Sequence, residues 1–147
     1  MVYSDMGKVL QLFISQPGNS ERIPQQTLSL DTKGIIGDKF YDKDIDRSIL
    51  VTSEYSYAVV HNENISMEFG ALGENILLDY NPYHLNSGQK LKIGEAILEV
   101  SQNCTMCNHL SKIDKKVPKL LRDDRGIFVK VIQNGDIHVG DPVQLLN

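Results

Sequence analysis

The sequence predicts a mainly β fold of the α+β kind, a barrel or sandwich with a few short helices, and three observations predict it. Short apolar segments, most with period-two alternation, recur along most of the 147 residues. Turn-forming residues separate several of them, as at Gly94-Glu95 and Asn134-Gly135-Asp136. Helical spacing shows in only two places.

Val9 to Ile14 is almost continuously apolar, which suits a strand buried on both faces. Leu28 with Leu30, Ile49 with Val51, and Ile76 with Leu78 mark further short strands. Leu91 and Ile93 run through Gly94-Glu95 into Ala96, Leu98 and Val100, the pattern of a hairpin. Ile127, Val129 and Val131 lead to the Asn134-Gly135-Asp136 turn, and Val143 and Leu145 form the last strand. Ser53 is positioned to cap a helix carrying Glu54, Tyr55, Ala58 and Val59. A second helix is predicted over about Thr105 to Lys116, with Leu110, Ile113 and Val117 on one side and Pro118 ending or kinking it. With no repeat, low-complexity tract or linker in view, one domain over residues 1–147 is expected.

With 41% hydrophobic and 23% charged residues, the composition is that of an ordinary globular chain. A net charge of −4 argues against broad nucleic-acid binding, which needs clustered positive charge, but leaves room for a small anion pocket. No run reaches the roughly 18 apolar residues that span a bilayer, so no membrane role is expected. Met1 to Lys8 contains Asp5 and no apolar core, so no secretory signal is expected either. The two cysteines, Cys104 and Cys107, are too few for a secreted disulfide scaffold and fit a reducing cytoplasm.

Five short motifs can carry chemistry. Gly34-Ile35-Ile36-Gly37-Asp38 is a turn whose glycines permit positive φ and whose N–H groups could cradle an anion; the plain alternative is a tight turn. Arg47, ahead of the Ile49–Val51 strand, can grip a phosphate or carboxylate, or pair with Asp44 or Asp46. Glu74-Asn75 follows Gly73 and aims a carboxyl and an amide from a turn. Cys104 and Cys107 lie between a strand and a predicted helix start, where the helix dipole lowers a thiol pKa. Arg125-Gly126 opens the Ile127 strand and can face the same mouth as Arg47. Lys112, Lys115, Lys116, Lys119 and Arg122 form a basic run interrupted by Asp114, of the kind found on solvated helix faces.

In this order, and with Gly140-Asp141 near the end, these motifs resemble the MOSC domain family, named for the C-terminal domain of molybdenum-cofactor sulfurase. The likeness runs from Gly34 to Asp141. It implies a β-barrel of the MOSC type with short helices at its rim and a cleft for the molybdenum cofactor, molybdopterin. Cys107 matches the reactive cysteine of the family, which either carries sulfur as a persulfide or ligates molybdenum. Gly37, Asp38, Arg47, Glu74, Asn75 and Arg125 match positions expected at the cofactor.

Two departures follow. Many members have Arg and Pro ahead of the cysteine where this chain has Cys104 and Met106, so one anion contact is lost and Cys104 becomes a candidate redox partner of Cys107. The 147 residues hold neither the pyridoxal-phosphate desulfurase domain of the long sulfurases nor the extra N-terminal domain of the long reductases. Sulfur would then come from a partner cysteine desulfurase or pass to a molybdenum-cofactor enzyme, and electrons from a separate partner. The alternative is a CxxC redox or zinc module, with His109 and one of His61, His84 or His138 completing the ligands.

Overall fold

The longest strand, β1 (Tyr3–Ile14), is the seam of the fold in a computed structural model that describes residues 3–105 and 110–146. Ten strands follow: β2 (Ile23–Gln25), β3 (Thr27–Asp31), β4 (Gly34–Ile35), β5 (Ile49–Ser53), β6 (Ile76–Leu78), β7 (Lys90–Ile93), β8 (Ala96–Asn103), β9 (Ile127–Gln133), β10 (Gly135–His138) and β11 (Pro142–Leu146). A 3-10 turn (Ile45–Arg47) and the helices α1 (Glu54–His61), α2 (Leu110–Ile113) and α3 (Val117–Leu120) lie between them.

Seven strands pair in a closed ring, β1-β11-β7-β8-β9-β5-β6 and back to β1, so the expected barrel is present. Closure asks the long strands to bend. β1 does so at irregularities between Asp5 and Gly7 and between Val9 and Gln11, β8 at one between Val100 and Gln102, and β9 at one between Val131 and Gln133. The first half of β1 pairs with β11; the second half pairs with β6 on one edge and β2 on the other. Only β5 and β6 run parallel among the described strands, and α1 supplies the crossover that this requires.

The core has two parts because β6 is buried on both faces. Ile76 and Leu78 enter the barrel interior with Val9, Leu12, Val51, Leu98 and Val129. Leu77 points the other way, to Tyr57, Val60, Leu72, Leu110, Val117 and Leu121 in a layer under the helices. That is why this segment shows no hydrophobic alternation.

The expected hairpin β7–β8 and the Ser53 cap are as read, the Ser53 hydroxyl accepting from Tyr55 N at 3.1 Å. Three details differ. α1 buries Ser56, Tyr57 and Val60, while Tyr55 and Ala58 are exposed, because the helix lies over Leu77 with the polar flank of Ser56 turned inward. Of the predicted helix from Thr105 to Lys116, residues 106–109 lie outside the described residues, α2 covers Leu110–Ile113, and the chain leaves the helix before Lys116. A separate turn, α3, follows with Pro118 in its first turn, where its missing N–H costs nothing. Gly135-Asp136 does not close a hairpin between β9 and β11. The chain crosses there into a second sheet, β10-β3-β4, with Gly135 paired to Leu30. No helix among the described residues is long and apolar enough to cross a membrane.

Candidate functional site

Two polar knots fix one end of the barrel. The buried Asp38 carboxylate accepts from Ser15 N and Ser15 Oγ, both at 2.7 Å, and from Phe40 N at 3.1 Å. It ties the end of β1 to the turn after β4. Asn75 is buried beside it: its Oδ1 accepts from Leu50 N at 3.1 Å, and its Nδ2 donates to Phe13 O and Asp38 Oδ1, each at 3.3 Å. One amide side chain therefore joins β1, β5 and the Asp38 turn, and Asn75 also lines the cleft described below. Gly37 has φ +91°, and a Cβ there would meet nothing within 4 Å. Its glycine serves the turn that aims Asp38, and nothing crowds its Cα.

Glu74 is fully buried. Its Oε2 accepts from Thr52 Oγ1 at 2.7 Å and Tyr57 OH at 2.6 Å, while Oε1 has no hydrogen-bond partner among the described residues. Burial pushes this carboxyl up from its ordinary value, against the two hydroxyl donors that pull it down. Tyr57 OH in turn accepts from Gly70 N at 3.1 Å and Leu72 N at 3.3 Å, so this pair pins the loop leading to Gly73.

A cleft of about 350 Å³ opens beside these knots, within the size range of small-ligand sites. Phe40, Leu50, Leu72 and Phe128 give it apolar walls, and Arg22, Lys43 and Arg47 give it three cations against one acidic side chain, Asp44. Arg47 ends the 3-10 turn with its guanidinium over the Phe128 ring at 5.5 Å from the centroid. It forms no ion pair with Asp44 or Asp46 among the described residues; Asp46 pairs with Lys130 at 3.9 Å instead. Ser101 Oγ donates to Asp46 O at 2.6 Å, tying that turn to β8.

Arg22 is the contact that sequence reasoning missed. It is half-buried, its Nε donating to Gly73 O at 3.0 Å. Burial draws its pKa down, and the charges of Asp38 and Glu74 oppose that; a guanidinium stays protonated regardless. Nothing in the local sequence around Arg22 marks it. Only closure of the loop after β1 against Gly73 brings it to the cleft.

Cys104 lines the cleft, buried, with its N–H donating to Gly126 O at 3.0 Å. Gly126 itself has φ +136°, and a Cβ there would lie 2.8 Å from Leu50 Cδ1. Arg125 is turned to backbone: Nη1 donates to Thr105 O and Nη2 to Pro118 O, each at 2.8 Å, and Nε to Leu121 O at 3.2 Å. It clamps the chain on both sides of residues 106–109 and is absent from the cleft lining. Cys107 and His109 lie outside the described residues. The predicted helix start beside Cys107 therefore also falls on residues 106–109, and α2 is described from Leu110 onward.

The cleft therefore gathers Arg47 and Asn75 with Cys104, while Gly37, Asp38 and Glu74 stand behind it as scaffold. Chemically the cleft fits an anionic, flat ligand: cations for a phosphate, aromatic and aliphatic walls for a ring system. Among the described residues no group of three His, Cys, Asp or Glu side chains is placed to hold a metal.

Solved structures share this fold. The YUAD protein from Bacillus subtilis superposes with a TM-score of 0.82 at 16% identity, covering 98% of each chain. YiiM from Geobacillus stearothermophilus gives 0.74 at 19% identity, over 95% of this chain and 75% of that one. YiiM from Escherichia coli gives 0.69 at 20%, over 95% and 70%. No curated protein matches the chain in sequence. The MOSC domain family model matches residues 26–144, which takes in β3 through most of β11, the knot residues Asp38, Glu74 and Asn75 and the cleft lining apart from Arg22, and the chain belongs to the MOSC domain family.

Proposed function

We propose that this protein binds the phosphorylated pterin of the molybdenum cofactor in the Arg22–Lys43–Arg47 cleft and acts there through Cys107. The observation that carries the reading is the cleft: three cations over apolar walls, with Cys104 in its lining. Cys107 follows Cys104 by three residues, a chain span of at most about 11 Å. Membership of a family tied to molybdenum-cofactor sulfuration supports the same reading.

As a sulfur carrier, the Cys107 thiolate attacks the terminal sulfur of a persulfide on a partner cysteine desulfurase. The donor S–S bond breaks, the donor cysteine leaves as thiolate, and the new S–S bond leaves a persulfide on Cys107 with no net redox change. Pyridoxal phosphate belongs to that partner. As a ligand, the same thiolate suits molybdenum as a soft donor, and reduction would draw on an electron-transfer partner. When bound, the cofactor supplies the molybdenum and its redox chemistry. The chain supplies a phosphate grip in Arg22, Lys43 and Arg47, ring contacts in Phe40 and Phe128, and a thiol. A cytoplasmic setting, where thiols stay reduced, suits both forms.

The test is anaerobic mass spectrometry of protein purified from cells that make the cofactor. A mass increment of one sulfur on Cys107 is expected for carriage and retained molybdopterin for ligation, and Cys107→Ser should abolish either. Absence of both would overturn the proposal, and stoichiometric zinc in their place would make this a metal-clip module.

A further inference from the structure

The basic run at residues 112–122 remains to be accounted for. It carries five of the 15 Lys and Arg of the chain and one of the 19 Asp and Glu, so it stands at +4 while the rest of the chain stands at −8. Lys112, Lys115, Lys116, Lys119 and Arg122 are all exposed, and none forms an ion pair among the described residues. The single acid, Asp114, is engaged with backbone, accepting from Lys116 N at 2.8 Å.

The patch rests on a firm base. Leu110, Val117 and Leu121 are fully buried under α2 and α3, and Arg125 holds the Pro118 and Leu121 carbonyls. It is also continuous with the cleft, because Lys112 lines a pocket with Arg22 and Gly73, and those two residues line the cleft as well. Glu21 and Glu68 line that joining pocket together with Arg22 and Lys112, so the positive charge is concentrated beside the cleft, on the two helices that follow residues 106–109 and the lysines between them. A field of this kind, confined to one face of an acidic molecule, steers an oppositely charged surface into one orientation.

We propose that α2, α3 and Arg122 form the docking surface for an acidic face of the protein that delivers persulfide sulfur to Cys107; this rests on the sulfur-carrier reading above. A protein is favoured over nucleic acid because the patch covers only two helical turns. A long polyanion would overrun it onto surface that is net negative. The transfer is the exchange already written: the donor S–S bond breaks, the donor thiolate leaves, and sulfur passes to Cys107 without an outside oxidant.

The experiment compares two routes to the Cys107 persulfide, read by mass spectrometry. One is a cysteine desulfurase from the same cell, charged with cysteine; the other is inorganic polysulfide. The variant K112E/K115E/K116E/K119E should lower the desulfurase-driven rate about tenfold or more and leave polysulfide labelling unchanged. With wild-type protein, raising ionic strength from about 0.05 to 0.3 M should cut the desulfurase route several-fold and spare the polysulfide route, a check independent of how the variant folds. If polysulfide fails to label wild-type Cys107, the sulfur-carrier reading fails. If polysulfide labels it but neither charge reversal nor salt slows the desulfurase, the docking proposal is overturned. Tighter binding of duplex DNA or anionic vesicles by wild type than by the variant, with transfer unaffected, would overturn it in favour of those partners.

Discussion

Asp38, Glu74 and Asn75 on one side, and Arg22, Lys43 and Arg47 on the other, meet at the same cleft under opposite conditions. The first three are buried, and each is held by side-chain or backbone hydrogen bonds from several elements. Lys43 and Arg47 are exposed, and Arg22 is half-buried with one nitrogen on Gly73 O. A polar group whose hydrogen-bonding capacity is already consumed has little left for a ligand. A cation at a rim with capacity to spare can form charge-assisted bonds to an incoming anion. Burial, with bond saturation at Asp38 and Asn75, therefore divides these residues into scaffold and contact, and substitutions can attack that division from either side. Glu74 falls on the scaffold side by burial, although its Oε1 has no partner among the described residues.

The largest effect is expected from Asp38→Ala. It removes the acceptor for Ser15 N, Phe40 N and Asn75 Nδ2 together, in a site with little access to water. Leaving such donors unpaired costs on the order of 3 kcal/mol of stability in all, measurable by urea unfolding. A variant within about 1 kcal/mol of wild type would mean that the Asp38 knot does not hold the barrel end.

Arg125→Ala should follow at about 1–2 kcal/mol, since three carbonyls lose a charged donor. Lys in its place restores one such contact at a time, because only the guanidinium fork reaches all three. Hydrogen exchange should quicken over 110–121 in Arg125→Ala and only partly recover in Arg125→Lys. Unchanged protection would return Arg125 to the contact side of the division.

How far the sequence discloses this arrangement depends on whether the deciding contact is local. Strand positions, the Ser53 cap and the β7–β8 hairpin follow from alternation and turn residues a few positions apart, and the structure has them. Ring closure between β1 and β11 joins residues at the two ends of the chain, which no local pattern encodes; the family likeness supplied it. At the site, Arg47 and Asn75 are legible as polar residues beside a strand and a turn. Their difference is not, since it turns on Leu50 N and Phe13 O lying within reach of Asn75, while Arg47 lies over the Phe128 ring. Arg22 was silent because its partner Gly73 is 51 positions away. Arg125 reads from sequence as facing the same mouth as Arg47; its bonds to the Thr105, Pro118 and Leu121 carbonyls depend on how the segment before it folds back, which no local pattern states.

Glu74→Gln probes the scaffold through pH. The carboxyl is raised in the folded protein, chiefly by burial, above its ordinary value of 4.5. As pH climbs past that value the unfolded chain loses its proton first and then binds fewer protons than the folded one. Stability must fall with rising pH across this window, until the folded carboxyl ionises as well. Gln has no proton to lose, so urea midpoints of Glu74→Gln should decline less between about pH 4.5 and 8 than those of wild type. Parallel curves would show that Glu74 is already ionised inside the fold, with Oε1 satisfied by something other than its own proton.

Arg47→Ala should have the smallest effect on stability, within about 0.5–1 kcal/mol, because the side chain is exposed and loses only its contact with Phe128. Its effect on binding should run the other way. Removing one of three cleft cations from a phosphate contact should weaken anaerobic binding of molybdopterin by about tenfold or more, with Arg47→Lys in between. The informative comparison is with Asp38→Asn, which keeps one acceptor and is measured where it remains folded. If Asp38→Asn weakened binding as much as Arg47→Ala at equal folded fraction, burial would not separate scaffold from contact at this cleft. If Arg47→Ala alone lost affinity, the charge at the rim would be what the ligand meets, and the buried residues behind it only what keeps that charge in place.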